Sequence, residues 1–386
     1  MGEMLFDSNR ARKILKEANI DIVIVDRPEN FSYISGITRP LENRIVREYI
    51  NYALLTSDSQ VSLIIGWFEL ESAEEETWVT DIFPFRPFAY ESVGTDADQQ
   101  RGSSAETTVA RRISELGLDS SRIGFDEKFT PISVHETIRA LLPKAHFVPA
   151  THILEQLRQV KTEVEIERLT EAGRIVDEAY RAMWSGLENG VTEQELAKLA
   201  HETFVREGAP RISFMHCGAG VRSSFECLPP SENHIVPGEL IRWDMGVCWR
   251  GYHSDIGRTF VIGKPLTEHT EIYGRIHDAY QKTIESMKPG IAGCEVYKIF
   301  QQGMGSLFDI TPLVWVGHGL GVELHEPPYL GATMTEPLEP GMVFAVEIVF
   351  VFSGREGYHV EDPILITEDG NRRLIDLPNE QLNVLG

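Results

Sequence analysis

The sequence predicts an α+β protein of two domains, on three observations. The chain has 386 residues, more than the roughly 250 to 300 at which a single hydrophobic core stops growing. Its first 150 or so residues alternate short apolar strands with amphipathic helices, the pattern of a sheet with helices on its faces. Beyond residue 155 capped helices appear, followed by strand-rich sequence punctuated by glycine, so the division reads as 1–155 and 156–386.

The elements follow in chain order. Residues 8–18 place Ala11, Ile14, Leu15 and Ala18 on one helical stripe, and Ile22–Val25 is a short buried strand. Tyr52–Leu55 and Val61–Ile65 predict two more strands, and Glu106–Leu116 a further helix. Thr162-Glu163-Val164-Glu165 is a capping box, followed by the apolar stripe Ile166, Leu169, Val176, Ala179, Tyr180 and Met183. Thr192 to Glu195 opens another helix in the same way. Later, Met342–Phe352 reads as a strand with Glu347 embedded in it, and Glu361 sits similarly within His359–Ile366.

Composition excludes several classes. Hydrophobic residues at 42% and charged residues at 25% are those of a globular protein. The formal net charge of −23, from 36 Lys and Arg against 59 Asp and Glu, repels phosphate backbones and anionic lipid surfaces, so no nucleic-acid or membrane partner is expected. Met342–Phe352, the longest apolar stretch, is far shorter than the roughly 20 residues of a membrane helix. Met1–Asp7 lacks the basic region and apolar run of a secretory signal, so a cytoplasmic chain is expected. Cys217, Cys227, Cys248 and Cys294 form no close pair suited to zinc or redox chemistry and read as buried free thiols.

The chemistry is concentrated in the second half. Ile241–Phe260 reads as two strands joined by a tight turn near Trp249-Arg250-Gly251. A two-residue loop at Trp249-Arg250 would set Asp244 directly opposite Asp255 on one face. Like charges opposed across strands are unfavourable unless neutralised, most simply by a divalent cation; a solvated hairpin face is the alternative. His318 stands among glycines in Val316-Gly317-His318-Gly319-Leu320-Gly321, where little bulk would block a ligand. Glu347 and Glu361, as carboxylates inside apolar strands, need partners. Two aspartates, two glutamates and one histidine make a shell for two divalent cations. That donor set favours hard, oxygen-preferring metals, manganese first, with cobalt, zinc or iron(II) as alternatives.

This constellation resembles the pita-bread metallopeptidase family, which includes aminopeptidase P, prolidase, methionine aminopeptidase and the metal-free creatinase. The matching features are Asp244, Asp255 eleven residues later, His318 in its Gly-His-Gly setting, Glu347 after the turn Glu339-Pro340-Gly341-Met342, and Glu361 followed by Asp362. Asn30, Tyr33 and Gly36 resemble the creatinase-type N-terminal domain, and the Leu157–Ile166 stretch resembles the start of the catalytic domain. The resemblance implies a pita-bread catalytic domain behind a smaller α/β creatinase-type domain, and a homodimer. It implies two divalent ions per chain, with Asp244 on one, His318 and Glu347 on the other, and Asp255 and Glu361 bridging. Glu347 would handle the proton of the attacking water. His325 would bind substrate and stabilise the tetrahedral intermediate, unless it is only a hydrogen-bonded loop histidine. The implied activity is cleavage of a C–N bond in an Xaa-Pro dipeptide or other short peptide.

Two departures bear on the substrate. Proline-specific members carry a Pro-His step upstream of the first metal Asp, where this chain reads Ser224-Phe225-Glu226-Cys227-Leu228-Pro229-Pro230. They also tend to have Arg two residues before the last metal Glu, where this chain has His359, a substrate-binding candidate that lacks arginine's fixed fork. A non-peptide small metabolite is therefore the alternative substrate. His216 and His234 flank the altered segment and could substitute spatially, or serve the surface or the structure. His253 is expected opposite Gly246 on the hairpin face, where it could approach the pocket. Metal-free relatives have lost ligands; here all five positions remain.

Overall fold

A computed structural model describes residues 2–38, 50–86, 104–187, 190–209 and 211–385. The chain divides into two compact units, Met1–Arg158 and Gln159–Gly386.

The first unit is built on a six-stranded sheet in the order β4-β3-β2-β1-β5-β6, formed by β1 (Ile22–Val25), β2 (Tyr52–Thr56), β3 (Val61–Gly66), β4 (Ile82–Phe85), β5 (Arg122–Phe125) and β6 (His146–Pro149). Every residue of β1, β2 and β3 is buried, as expected where helices cover both faces of a sheet. Helix α1 (Ser8–Glu17) starts where the Asp7 carboxylate accepts the amides of Asn9 and Arg10 at 2.7 and 3.0 Å. Helix α2 (Pro28–Ser35) begins with proline and ends at Gly36, φ +77°, the usual proline-first, glycine-last asymmetry. On it, Asn30 donates to Asp126 at 2.9 Å and accepts from Arg158 at 2.8 Å, while the Tyr33 hydroxyl donates to the Leu157 carbonyl at 2.9 Å. Asn30 and Tyr33 therefore act as internal ties within this unit.

The second unit contains two five-stranded sheets. One comprises β7 (Ile212–Ala219), β8 (Leu240–Trp249), β9 (Tyr252–His253), β10 (Ile256–Ile262) and β16 (Asn383–Leu385), in the order β16-β10-β8-β7 with β9 also on β8. The other comprises β11 (Trp315–Gly319), β12 (Glu326–Gly331), β13 (Val343–Phe352), β14 (Glu356–Ile366) and β15 (Asn371–Arg373), in the order β12-β11-β13-β14-β15. Both expected capping boxes are formed, at Thr162/Glu165 and Thr192/Glu195. The long helix that the first begins and the shorter one that the second begins, Glu163–Ser185 and Glu193–Arg206, pack with the first sheet in one core. Helices Thr267–Ser286 and Gly293–Met304 pack with the second sheet in another. The two sheets join along β10 and β14, where His359 donates its amide to Thr259 Oγ1 at 2.6 Å and Arg258 donates to the Glu361 carbonyl at 2.6 Å.

The hairpin register differs from the one expected. The loop is Arg250-Gly251, with φ +45° and +85°, a two-residue turn with both central residues left-handed. Trp249 therefore pairs with Tyr252, and Asp244 pairs with Gly257 rather than Asp255. His253 is correspondingly opposite Cys248, not Gly246, and its Nδ1 lies 2.6 Å from Ser213 Oγ. The direct opposition of like charges occurs elsewhere: Glu347 is paired with Glu361 across β13 and β14. Of the four free cysteines, Cys217 and Cys248 are buried, Cys294 is intermediate and Cys227 is exposed.

Candidate metal centre

Strand alternation places the site. On β13, Phe344, Val346, Ile348 and Phe350 enter the helix-side core, and on β14 so do Tyr358, Val360, Ile364 and Ile366. The intervening Glu347, His359 and Glu361 must project from the other face. On β8, Ile241, Trp243, Met245 and Val247 enter the core, which turns Arg242 and Asp244 the opposite way. His318 pairs with Ala345 on β13 in regular register, which puts it on the face of Glu347, while the same strand pairs irregularly with β12. The glycines beside it serve the strands: a Cβ on Gly317 would lie 2.6 Å from the Ala345 carbonyl oxygen, and one on Gly319 2.6 Å from that of Glu326.

All five expected ligand residues converge. His318 Nε2 lies 3.5 Å from Asp255 Oδ2 and 3.6 Å from Glu347 Oε1. His359 Nε2 is 3.2 Å from Glu361 Oε2 and 3.3 Å from Glu347 Oε2, and its Nδ1 is 3.9 Å from Asp244 Oδ2. Three overlapping groups each bring their ligand atoms within 4.8 Å of one another: Asp255 with His318 and His325; Asp244 with His359 and Glu361; His318 with Glu347 and Glu361. His318 Nδ1 is 3.0 Å from the Gly319 carbonyl oxygen, which can only accept. That contact holds a proton on Nδ1 and turns Nε2 toward the carboxylates.

Burial and mutual repulsion set the electrostatics of the carboxylates. Burial, and then the charges of Glu361, Asp244 and Glu347, push the Asp255 carboxyl well above the usual range. Burial, then Glu347 and Asp244, does the same to Glu361. Burial works to raise Glu347 as well, but His318 and His359 outweigh it and hold that carboxyl below its ordinary value. The two Nε2 contacts with Glu347, 3.6 Å from His318 and 3.3 Å from His359, have the separation of ion pairs, and neither nitrogen has a hydrogen-bond partner among the described residues. Among the described residues, Asp244 Oδ1, His318 Nε2, both His359 nitrogens and both Glu361 carboxylate oxygens are buried without a hydrogen-bond partner. Leaving so many polar atoms unsatisfied is costly, and a cluster of carboxylate oxygens and imidazole nitrogens aimed at common space is a donor set that fits divalent cations.

A cavity of about 460 Å³ opens over these groups, within the usual range for small-molecule sites. Asp244, Asp255, Glu347 and Glu361 line it, with an apolar wall of Phe214, Leu313, Val314, Trp315, Leu324 and Val349. His325 also lines it, stacked on His318 with ring centroids 3.6 Å apart. Burial, and then neighbouring His318, lower the His325 pKa to about 4, so its ring is neutral at pH 7. Trp315 stands edge-on to both rings.

The segment that departs from the proline-specific pattern also reaches the cavity, through Glu226 and Cys227. Buried Arg242 clamps it, donating to the carbonyls of Ser223 at 2.9 Å, Glu226 at 2.8 Å and Phe225. His216 lines the cavity with Nδ1 3.8 Å from Asp244 Oδ2, whereas His234 contacts the Gly190 carbonyl at the surface. His359, read from the sequence as a substrate contact, is fully buried behind the carboxylates and does not line the cavity.

Two supporting residues have partners that the sequence did not reveal, although Lys161 lies in the stretch that resembles the start of the catalytic domain. Arg258, fully buried in β10, is 2.5 Å from Asp362 Oδ1. Buried Lys161 lies 2.8 Å from Glu326 Oε1, tying down the residue that follows His325. Arginine in a strand and lysine before a helix are unremarkable until their partners, about 100 and 165 residues away, are known.

Residues 167–368 match metallopeptidase family M24, and residues 8–160 match the creatinase/prolidase N-terminal domain. The uncharacterized peptidase YqhT of Bacillus subtilis is 31% identical over 342 residues, 86% of this chain and 95% of that protein. An Xaa-Pro dipeptidase of Lactobacillus helveticus is 28% identical over 94% of each chain. The solved structure of an Xaa-Pro dipeptidase from Bacillus anthracis has a TM-score of 0.82 at 26% identity, over 98% of each chain. With more than half its length matched to the catalytic family, and that match taking in all five converging residues, the chain belongs to metallopeptidase family M24 and is a hydrolase with a pita-bread domain and a creatinase-type N-terminal domain.

Proposed function

We infer that this chain is a dinuclear metal-dependent peptidase that cleaves the C–N bond of Xaa-Pro dipeptides. The observation that carries the reading is the convergence of Asp244, Asp255, His318, Glu347 and Glu361 around shared space, with buried oxygens and imidazole nitrogens left unpartnered. These five would hold two divalent ions, which when bound polarise the scissile carbonyl and bring the pKa of water down to about 7. The chain's own residues supply the rest. A Glu347 carboxylate oxygen takes the proton of the attacking water, and that proton goes to the leaving proline nitrogen as the C–N bond breaks. His325, neutral at pH 7 and flanked by Trp315, hydrogen-bonds the substrate where negative charge develops. The apolar wall from Leu313 to Trp315 receives the hydrophobic part of the dipeptide.

Assay of Xaa-Pro dipeptides beside a panel of N-acyl and cyclic-amidine metabolites tests the reading. Xaa-Pro cleavage that disappears on complete chelation and returns with manganese or cobalt is expected. Turnover unaffected by complete metal removal would end the metal mechanism, and efficient turnover of a metabolite with none of the dipeptides would replace the substrate.

A further inference from the structure

We propose that His359 is a sixth ligand of this centre, giving each of the two cation positions its own imidazole. The proposal rests on the two-ion reading above and deepens it. The His359 ring sits among three carboxylates, 3.2 Å from Glu361, 3.3 Å from Glu347 and 3.9 Å from Asp244. It is fully buried, and among the described residues neither ring nitrogen has a hydrogen-bond partner. An imidazolium held purely by charge in so dry a place would close on its carboxylates as short, well-aligned hydrogen bonds. Here Nε2 comes within 3.2 and 3.3 Å of Glu361 and Glu347 without making a hydrogen bond to either, as a ligand atom sharing a cation with those carboxylates does.

The grouping of ligand atoms is specific. Asp244, His359 and Glu361 form one set and His318, Glu347 and Glu361 another. Glu361 belongs to both, which is the position of a bridging carboxylate, and each of these two has a single histidine; the third set, Asp255 with His318 and His325, shares His318 with the second and does not include His359. Two further features suit a ligand better than a substrate contact. The ring does not line the cavity. Its place is kept open by Gly257, where a Cβ would come within 2.5–2.6 Å of three ring atoms. Two imidazoles with four carboxylates form a softer donor set than one imidazole with four, so the preference moves from manganese toward cobalt, zinc or iron(II).

The test is Co²⁺ titration of the chelator-stripped, full-length chain, with bound cobalt measured by equilibrium dialysis and ligation read from the hyperfine-shifted imidazole N–H resonances. Wild type is expected to bind two ions per chain and to show shifted N–H signals from His318 and His359. His359→Gln should lose one of these signals and weaken one of the two binding steps tenfold or more, with an unchanged circular dichroism spectrum. Gly257→Ala, which keeps the imidazole but fills its space, should perturb the same signal. If His359→Gln keeps both affinities within twofold and the same shifted resonances, and only raises KM, the residue is a substrate contact and the proposal is overturned. Wild-type protein that binds no pair of cobalt ions would instead overturn the two-ion reading, and this proposal with it.

Discussion

Glu361→Gln is expected to reduce Xaa-Pro turnover by about 10³-fold while making the metal-stripped chain more stable than stripped wild type. The first effect follows from the worth of a metal in such a reaction, several kcal/mol of charge stabilisation, with every 1.36 kcal/mol a factor of ten in rate. The second follows from the apo electrostatics. Glu361 stands directly across from Glu347, is buried, and is pushed toward its neutral form by burial and by the charges of Glu347 and Asp244. Gln reproduces that neutral form at nearly the same shape. Relief of about 1 kcal/mol would raise the melting temperature of a domain this size by about 2–4 °C. Thermal melts of both stripped proteins at pH 7.5, beside steady-state assays of the reloaded ones, measure the two effects. A variant equally active, or a stripped variant that melts lower, would show that Glu361 is not held in place against its neighbours for the sake of a cation.

Arg258→Ala is expected to be the most destabilising single change near the site, about 3–5 kcal/mol. The guanidinium is fully buried and all its donors are used: Asp362 Oδ1 at 2.5 Å and the carbonyls of Glu361 at 2.6, Gly257 at 2.8, Leu377 at 3.0 and Pro378 at 3.1 Å. Deleting one partner of a buried pair leaves the other charge uncompensated, which costs more than the intact pair contributes. Asp362 would keep Arg373, Asn379 and Tyr280, so the loss should fall toward the lower end of that range. The bond to the Glu361 carbonyl fastens β14 to β10 beneath the carboxylates, so activity should fall with stability even in the folded fraction. Denaturant melts give the first number and assays below the transition the second; a cost under 1 kcal/mol would contradict the role.

What could be read from the sequence divides along physical lines. Elements set by local chemistry were legible: the capping boxes at Thr162 and Thr192 are formed, and the apolar run Ile22–Val25 is a buried strand. The carboxylates of β13 and β14 were legible because a charge inside an apolar strand needs a reason. The hairpin register was not, because it depends on Arg250 taking a left-handed conformation, which the type of that residue does not announce; Gly251 in the second turn position was the available clue. Helix α2 was likewise signalled only by Pro28 and Gly36 at its ends. The surroundings of His359 could not be read at all. They arise from strands β8, β10, β13 and β14, and only the pairing of Asp244 with Gly257 and of Glu347 with Glu361 brings three carboxylates and the open space of Gly257 around one ring.

The central claim is most directly tested by anomalous diffraction from crystals of the full chain grown with cobalt. Two peaks about 3.5–4 Å apart, the spacing of two-metal sites, with Asp255 and Glu361 touching both, are predicted. A single peak, or ions bound away from Asp244, Asp255, His318, Glu347 and Glu361, would contradict it.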